Sequence, residues 1–344
     1  MRVVSLLPAA TEMVAAIGAT ETLVGVSHEC DHPSVVGSRA RVTASAVDAH
    51  ASPDEIDAQV RALHEAGSAL FTLDEPVIAA LRPETNENQR AIGGMAVIVL
   101  LAAAAAVVWM INAGHNVNPG VIAVDRYRWT ADLIFLAAAL GTVVLSMEYG
   151  AKESIRQAEV HVLVLFATSG MMILAAARDL MIVFLGIEIM SIAVYVLAGL
   201  NRRSAKAAES ALKYFLLGAF ATGFLLYGIA LTYGATGSTN LSTIGKVIVE
   251  HQLQSQSMLL VGVGLLLVGF GFKVAAVPFH MWAPDVYEGA PTSVTAFMSA
   301  GPKVAGFAVL LRVFLYAFAP LHSHATVILS GLAVLTMAVG NIMA

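Results

Sequence analysis

Four charged side chains stand inside long apolar stretches of this 344-residue chain. They are Glu188 in Phe184-Leu-Gly-Ile-Glu-Ile-Met190, Lys213 in Ala211-Leu-Lys-Tyr-Phe215, Lys273 in Gly271-Phe-Lys-Val-Ala275 and Lys303 in Gly301-Pro-Lys-Val-Ala305. Each costs about 2.5–3.5 kcal/mol at a bilayer centre on insertion scales, so four approach ~10 kcal/mol unless partners or water meet them. Low polarity disfavours an ammonium and a nearby carboxylate favours it, so a carboxylate that moves changes a lysine's hold on its proton. That is the chemistry of a proton relay. Snorkelling or structural pairing is the competing reading, strongest for Lys213 near a segment end.

Two breaks accompany the charges. Pro278 cannot donate to the Val274 carbonyl, nor Pro302 to that of Met298, which predicts freed backbone oxygens beside Lys273 and Lys303. Irregular backbone at membrane depth is tolerated where it faces protein or a wet cavity. His280, two residues past Pro278, is placed to pass protons from water to Lys273, or equally to end a helix on a carbonyl. Asp285 and Glu288 read as a solvated turn, as do Arg178 and Asp179.

The elements that position these residues are long and apolar. With 58% hydrophobic and 12% charged residues and a mean hydropathy of +0.77, the chain carries half the charge of an ordinary soluble domain. The average conceals two parts. Residues 1–90 hold 6 Lys/Arg and 13 Asp/Glu, residues 91–344 hold 13 and 11. From Ala91 onward eight apolar segments follow, at about 91–111, 130–149, 160–177, 180–200, 208–234, 257–279, 291–316 and 325–344. Their lengths suit helices crossing about 30 Å of hydrocarbon, so the fold class is mainly α, a polytopic transmembrane bundle embedded in the lipid bilayer. Arg202, Arg203 and Lys206 follow the fourth segment and Lys152 and Arg156 the second, on one side by parity. The positive-inside rule makes that side cytoplasmic, and residues 1–85 with it, against the dissent of Arg126 and Arg128.

The first ninety residues read as a small α/β fragment. Val3–Leu7, Ala9–Ile17 and Leu23–Ser27 make a β-α-β beginning, and Ser52-Pro-Asp-Glu55 opens a helix expected to reach His64 and end at Gly67. Met1–Ala16, broken by Pro8 and Glu12, is no secretory signal, so export of this part is not expected. The single Cys30 excludes an intrachain disulfide framework and multi-cysteine metal sites. His28, Cys30 and His32 alternate and suit zinc in type, but no fourth ligand is placed, and a surface turn led by Asp31 and Pro33 is the favoured reading; metal ligands are expected to be none. A net charge of −5 gives no reason to expect nucleic acid. At Arg2-Val-Val-Ser-Leu-Leu-Pro-Ala-Ala-Thr-Glu12 and Gly25-Val-Ser-His-Glu-Cys-Asp-His-Pro33 the fragment resembles the first lobe of cobalamin-binding proteins of ABC transporters, as far as about Pro83. That resemblance implies corrinoid capture between two lobes, of which the second is absent here.

The larger part has its own resemblance. At Phe184–Leu197, Lys213-Tyr-Phe-Leu-Leu-Gly-Ala-Phe220, Tyr233-Gly-Ala-Thr-Gly-Ser-Thr-Asn240 and above all Phe272-Lys-Val-Ala-Ala-Val-Pro-Phe-His-Met-Trp-Ala-Pro-Asp-Val-Tyr-Glu-Gly-Ala-Pro-Thr292, residues 91–344 resemble the subunit N family of bacterial proton-pumping NADH:quinone oxidoreductase, respiratory complex I. Antiporter-like subunits of multisubunit Na⁺/H⁺ antiporters share the pattern more loosely. The resemblance implies an inner-membrane translocase subunit with one proton path, no redox centre or cofactor in this chain, other membrane-arm subunits as partners, and NADH and the quinone pool handled by the assembled complex. It also implies roles: Glu188 and Lys213 as the charged pair near proton uptake, Lys273 as the broken-helix lysine, His280 as its neighbour and Lys303 as the central-axis lysine. The family has about fourteen spans in two inverted repeats. Here the α/β fragment replaces the first span and the chain stops at Ala344, so a complete pump is not expected. The abrupt switch between Pro83 and Asn86 favours a fused or misjoined reading frame over an evolved two-domain protein. The alternatives are a cation/proton antiporter subunit and a corrinoid-binding fragment.

Overall fold

The computed structural model describes residues 2–6, 8–16, 18–48, 51–65, 71–81, 89–114, 120–149, 157–201 and 204–343. Gly67, the 83–86 junction, Lys152, Arg156, Arg202 and Arg203 lie outside the described residues. The chain divides into two compact units, residues 1–89 and 90–344.

In the smaller unit, β1 (Val3–Ser5), α1 (Pro8–Ala16) and β2 (Leu23–Val26) form the expected β-α-β start, with β1 and β2 parallel. β3 (Ala40–Arg41) extends the sheet in the order β1-β2-β3, and β4 (Thr43–Ser45) pairs antiparallel with β5 (Phe71–Leu73). Two helices, α2 (Pro53–Glu65) and α3 (Glu75–Leu81), complete it. At the start of α2 the Ser52 N–H and hydroxyl both donate to Glu55 Oε2 at 2.8 Å. The backbone N–H of Ser52, then its hydroxyl, holds Glu55 below the usual carboxylate range.

The His28–His32 turn differs from expectation. Cys30 is buried with Leu23, Val26 and Val36 rather than on a surface turn, its Sγ 3.1 Å from Thr11 Oγ1. A thiol packs as a small hydrophobe, and this core has few other side chains to fill it. His28 Nδ1 meets Thr43 Oγ1 at 2.6 Å, and the described residues hold no His/Cys/Asp/Glu group fit for a metal.

The larger unit is a membrane-type bundle in which, among the described residues, eight helices are long and apolar enough to cross a bilayer. They are α4 (Gln89–Asn112), α5 (Arg126–Tyr149), α6 (Gln157–Ala176), α7 (Leu180–Ala198), α8 (Ala205–Thr236), α10 (Ser257–Val274), α12 (Thr292–Tyr316) and α13 (His322–Met343). Two shorter helices, α9 (Leu241–Glu250) and α11 (Ala283–Gly289), lie in what the sequence presented as connections. Asn240 caps α9 by accepting from the N–H groups of Ser242 and Thr243.

Close packing rests on small residues, as expected where lipid is as apolar as the helix surfaces. A Cβ on Gly170 of α6 would stand 2.5 Å from the Met190 backbone nitrogen of α7. Across the same seam, a Cβ on Gly186 would lie 3.1 Å from the Leu174 nitrogen, so both backbones need glycine to approach. α8 and α10 meet in the same way at Gly228 and Gly262.

At one end, the links after α4, α6 and α8 are stitched together. Ala123 N–H donates to the Ala176 carbonyl at 2.7 Å, Arg178 N–H to Val121 at 2.9 Å and Leu241 N–H to Arg178 at 2.9 Å. Arg178 and Asp179 are therefore not a solvated turn. Asp179, 7% exposed, caps α7 through the Met181 N–H and accepts from the Thr239 hydroxyl at 2.7 Å, while Arg178 reaches Ser242. So short a link between spans turns these side chains to partners within the protein.

Candidate functional site

α7 carries Glu188, Ser191 and Tyr195 at i, i+3 and i+7, one face of a helix. α10 sets Lys273 against that face, 6% exposed. Its Nζ donates to Ser191 Oγ at 2.6 Å and to the Tyr195 hydroxyl at 3.3 Å, and lies 5.4 Å from the Tyr195 ring centroid. The Ser191 hydroxyl in turn donates a hydrogen bond to the Ile187 carbonyl. Glu188 is close enough for its charge to act on Lys273.

Directly after Lys273 the helix stops. Ala275 adopts the left-handed conformation at φ 57°, and the N–H groups of Ala275 and Ala276 close on the carbonyls of Phe272 and Gly271. The Trp282 indole adds a bond to the Phe272 carbonyl at 3.1 Å. Pro278 thus marks termination rather than a kink: α10 ends at Val274, short of the expected 279. His280 stands in the irregular stretch before α11, half-buried, its carbonyl accepting from the Ala283 N–H at 2.9 Å.

Lys213 is met by two acids of α8 and α11. Its Nζ meets Asp285 Oδ2 at 2.6 Å and Glu209 Oε1 at 2.7 Å, while Lys206 meets Glu288 Oε1 at 2.6 Å. Asp285 and Glu288 are therefore helical residues of α11 paired across to α8, not a free turn. The Ser210 hydroxyl secures the contact by donating to the Asp285 carbonyl at 2.8 Å. Around these pairs lies an open cleft of about 230 Å³. All five charged partners keep substantial solvent exposure, so the pairs orient α11 more than they stabilise it.

Lys303 sits mid-way along α12, which runs unbroken through Pro302 although the Met298 carbonyl loses its usual donor there. Its Nζ lies 5.1 Å from the centroid of the Tyr287 ring. One turn on, a Cβ at Gly306 would be 3.5 Å from the Lys273 Cβ, so the two lysines belong to facing surfaces of α10 and α12. Burial pushes the Tyr287 phenol up to about 12.

Between the lysines runs an aromatic file that motif reading did not single out. Tyr195 meets Tyr214 edge-on at 4.7 Å, Tyr214 stacks on Trp282 at 4.4 Å, and Trp282 meets Tyr287 edge-on at 5.9 Å. The sequence signal is the tyrosine beside Lys213 and the tryptophan two residues past His280. The arrangement holds a desolvated ammonium between two hydroxyls at a helix break, with a carboxylate within electrostatic reach. A hydroxyl can accept from the ammonium and donate onward, which is the requirement for handing on a proton.

At the opposite end of the bundle, Arg312 of α12, 3% exposed, makes a bidentate pair with Asp125 at 2.8 and 2.9 Å, under the Tyr127 ring at 4.9 Å. Arg128, expected to lie ahead of the second span, is instead in the first turn of α5 and contacts Asp132 at 3.4 Å.

Residues 177–344 match the family model described as NADH:quinone oxidoreductase/Mrp antiporter, TM. A protein of Trichlorobacter lovleyi named NADH-quinone oxidoreductase subunit N is 54% identical over 220 residues, 64% of this chain and 45% of that protein. A subunit N 2 of Roseiflexus castenholzii is 47% identical over 270 residues, 77% of this chain and 53% of that protein. The chain spans about half the length of the curated relatives it matches. Among solved structures, a chain of respiratory complex I from Thermus thermophilus with bound aureothin aligns with a TM-score of 0.57 at 40% identity, over 65% of this chain and 48% of that one. A chain of the Mrp complex from Dietzia sp., with a TM-score of 0.58 at 23% identity over 67% of this chain and 45% of that one, shares the fold.

Proposed function

We propose that residues 90–344 act as a proton-translocating membrane-arm subunit of a bacterial inner-membrane NADH:quinone oxidoreductase, with electrons and quinone handled by partner subunits. The observation that carries this reading is the Lys273 ammonium, sealed among Ser191, Tyr195 and Phe272 where α10 breaks. Glu188 biases that ammonium, and when the bias changes Lys273 gives its proton to the Ser191 or Tyr195 hydroxyl as that hydroxyl releases its own proton to the next acceptor in line. Lys303, facing α10 across Gly306, takes the charge onward along α12, while Lys213 with Glu209 and Asp285 gathers protons at the exposed end. His280 serves the break between them. The same lysine chemistry would suit a cation/proton antiporter, which the matched family model also covers; the 54% and 47% identical relatives support the quinone-linked reading. For residues 1–89, the corrinoid-capture alternative is supported by the quoted sequence likeness and the parallel β-α-β start.

The test replaces Lys273 with Met in the full chain, assembled with its partner subunits in membrane vesicles, and measures NADH-driven proton uptake beside NADH oxidation. Loss of proton movement with the complex assembled is expected. Unchanged pumping would overturn the relay, and cation-driven proton exchange without quinone reduction would establish the antiporter instead.

A further inference from the structure

The end of the bundle away from Lys213 contains a second buried acid that the relay above does not use. Asp132 lies six residues into α5, about 9 Å along the axis from its start. It is 0% exposed, and its Oδ1 has no hydrogen-bond partner among the described residues. Its other oxygen has one long contact, 3.4 Å from Arg128 Nε.

The surrounding charges explain why the contact is poor. Arg128 spends Nη1 on the Ala123 carbonyl at 3.1 Å and lays its guanidinium over the Trp129 ring at 4.5 Å. Arg312 commits both terminal nitrogens to Asp125, the acid with some access to water. The charges of Arg128, Arg312 and Asp125 all reach Asp132, yet the good geometry goes to Asp125. A structural ion pair placed for stability would give the deeper acid the better bonds, because a buried carboxylate with an open oxygen carries most of its desolvation cost.

We propose that Asp132 is a proton-exchanging carboxylate, alternating between a carboxylate on Arg128 and a neutral acid whose proton sits on Oδ1. The step is an acid–base exchange with no electron transfer. The proton arrives from the bundle interior, where Lys303 lies nine residues before Arg312 on α12, about 13 Å along the helix. It leaves to water past Asp125, and as it leaves Arg128 again balances the carboxylate. The proposal rests on the proton-carrying reading for its direction of flow, though the exchange at Asp132 itself does not.

The test is infrared difference spectroscopy of the assembled complex in membranes between acid and neutral pH, in H₂O and D₂O, with pumping measured in parallel. A carboxylic C=O band that shifts in D₂O and is lost in Asp132→Asn is expected, together with at least about a fivefold loss of proton uptake. A difference spectrum identical in Asp132→Asn and the parent overturns the proposal. If Asp132→Asn does not assemble, Arg128→Gln must shift the pH at which the band appears, and a band that stays in place overturns it equally. Lys273→Met, run alongside, separates the two readings: pumping that survives it defeats the relay while leaving the Asp132 band to be judged by itself.

Discussion

Gly218 of α8 makes the space that the Tyr195 hydroxyl of α7 occupies: a Cβ at 218 would stand far inside van der Waals contact distance of that oxygen. Tyr195 reaches Lys273 only because position 218 has no side chain. Gly218→Ala is therefore expected to displace the hydroxyl and, on the proposed relay, to slow proton transfer past Lys273 about tenfold, the rate equivalent of one ~1.4 kcal/mol interaction. Tyr195→Phe should show a similar loss with the backbone untouched. Rates measured in assembled membranes check both, and a full-rate Tyr195→Phe would remove the hydroxyl from the path.

The α6–α7 seam offers a packing test. Gly170→Ala drives a methyl into the Met190 backbone, which side-chain rotation cannot relieve, and should destabilise the bundle by about 1–3 kcal/mol. Gly141→Ala, with open space around its Cβ, should be close to neutral. Thermal unfolding in detergent, followed by helix signal, distinguishes the two.

Much of this was legible beforehand, and the exceptions share a physical cause. Eight spans, the β-α-β start and the lysine positions follow from apolar run length, β-prone runs and the rarity of charge in lipid, all local properties of sequence. The partners of those lysines are not local. Lys213 has a candidate, Glu188, 25 residues earlier in the chain, but it meets Asp285, 72 residues on, because α11 folds back over α8. Arg312 and Asp125 are 187 residues apart, and nothing in either one's neighbourhood announces the other. α9 does not show in apolar run length, although Asn240 and the apolar residues Leu241, Ile244 and Ile248 have the spacing of a capped amphipathic helix. Its brevity between two spans hid it.

The exposed pairs between α8 and α11 should contribute little to stability. A double-mutant cycle on Lys206 and Glu288, both largely solvent-exposed, is expected to give a coupling of about 0.2–1 kcal/mol that falls as salt is raised. A coupling of several kcal/mol that is indifferent to salt would mean the pair is sequestered.

Asp125 should behave in the opposite way. Burial alone would raise its carboxyl, but the hydrogen bonds from Arg312 and from the Arg128 N–H outweigh burial and hold it below the usual carboxylate range. A carboxyl lowered by folding contributes stability that is present above its unfolded value, near 3.8. That contribution is lost as the pH falls through the lower folded value. The pair should therefore hold at full strength through neutral pH and weaken only in strong acid. Arg312→Met leaves Asp125 partly buried without its guanidinium and should cost about 3–5 kcal/mol. Adding Asp125→Asn removes the uncompensated charge and should recover part of the loss. Chemical unfolding of the parent and the two variants at neutral and acid pH measures it, and a double variant no more stable than Arg312→Met alone would show that Arg312 acts through the Tyr127 and Tyr316 rings rather than through Asp125.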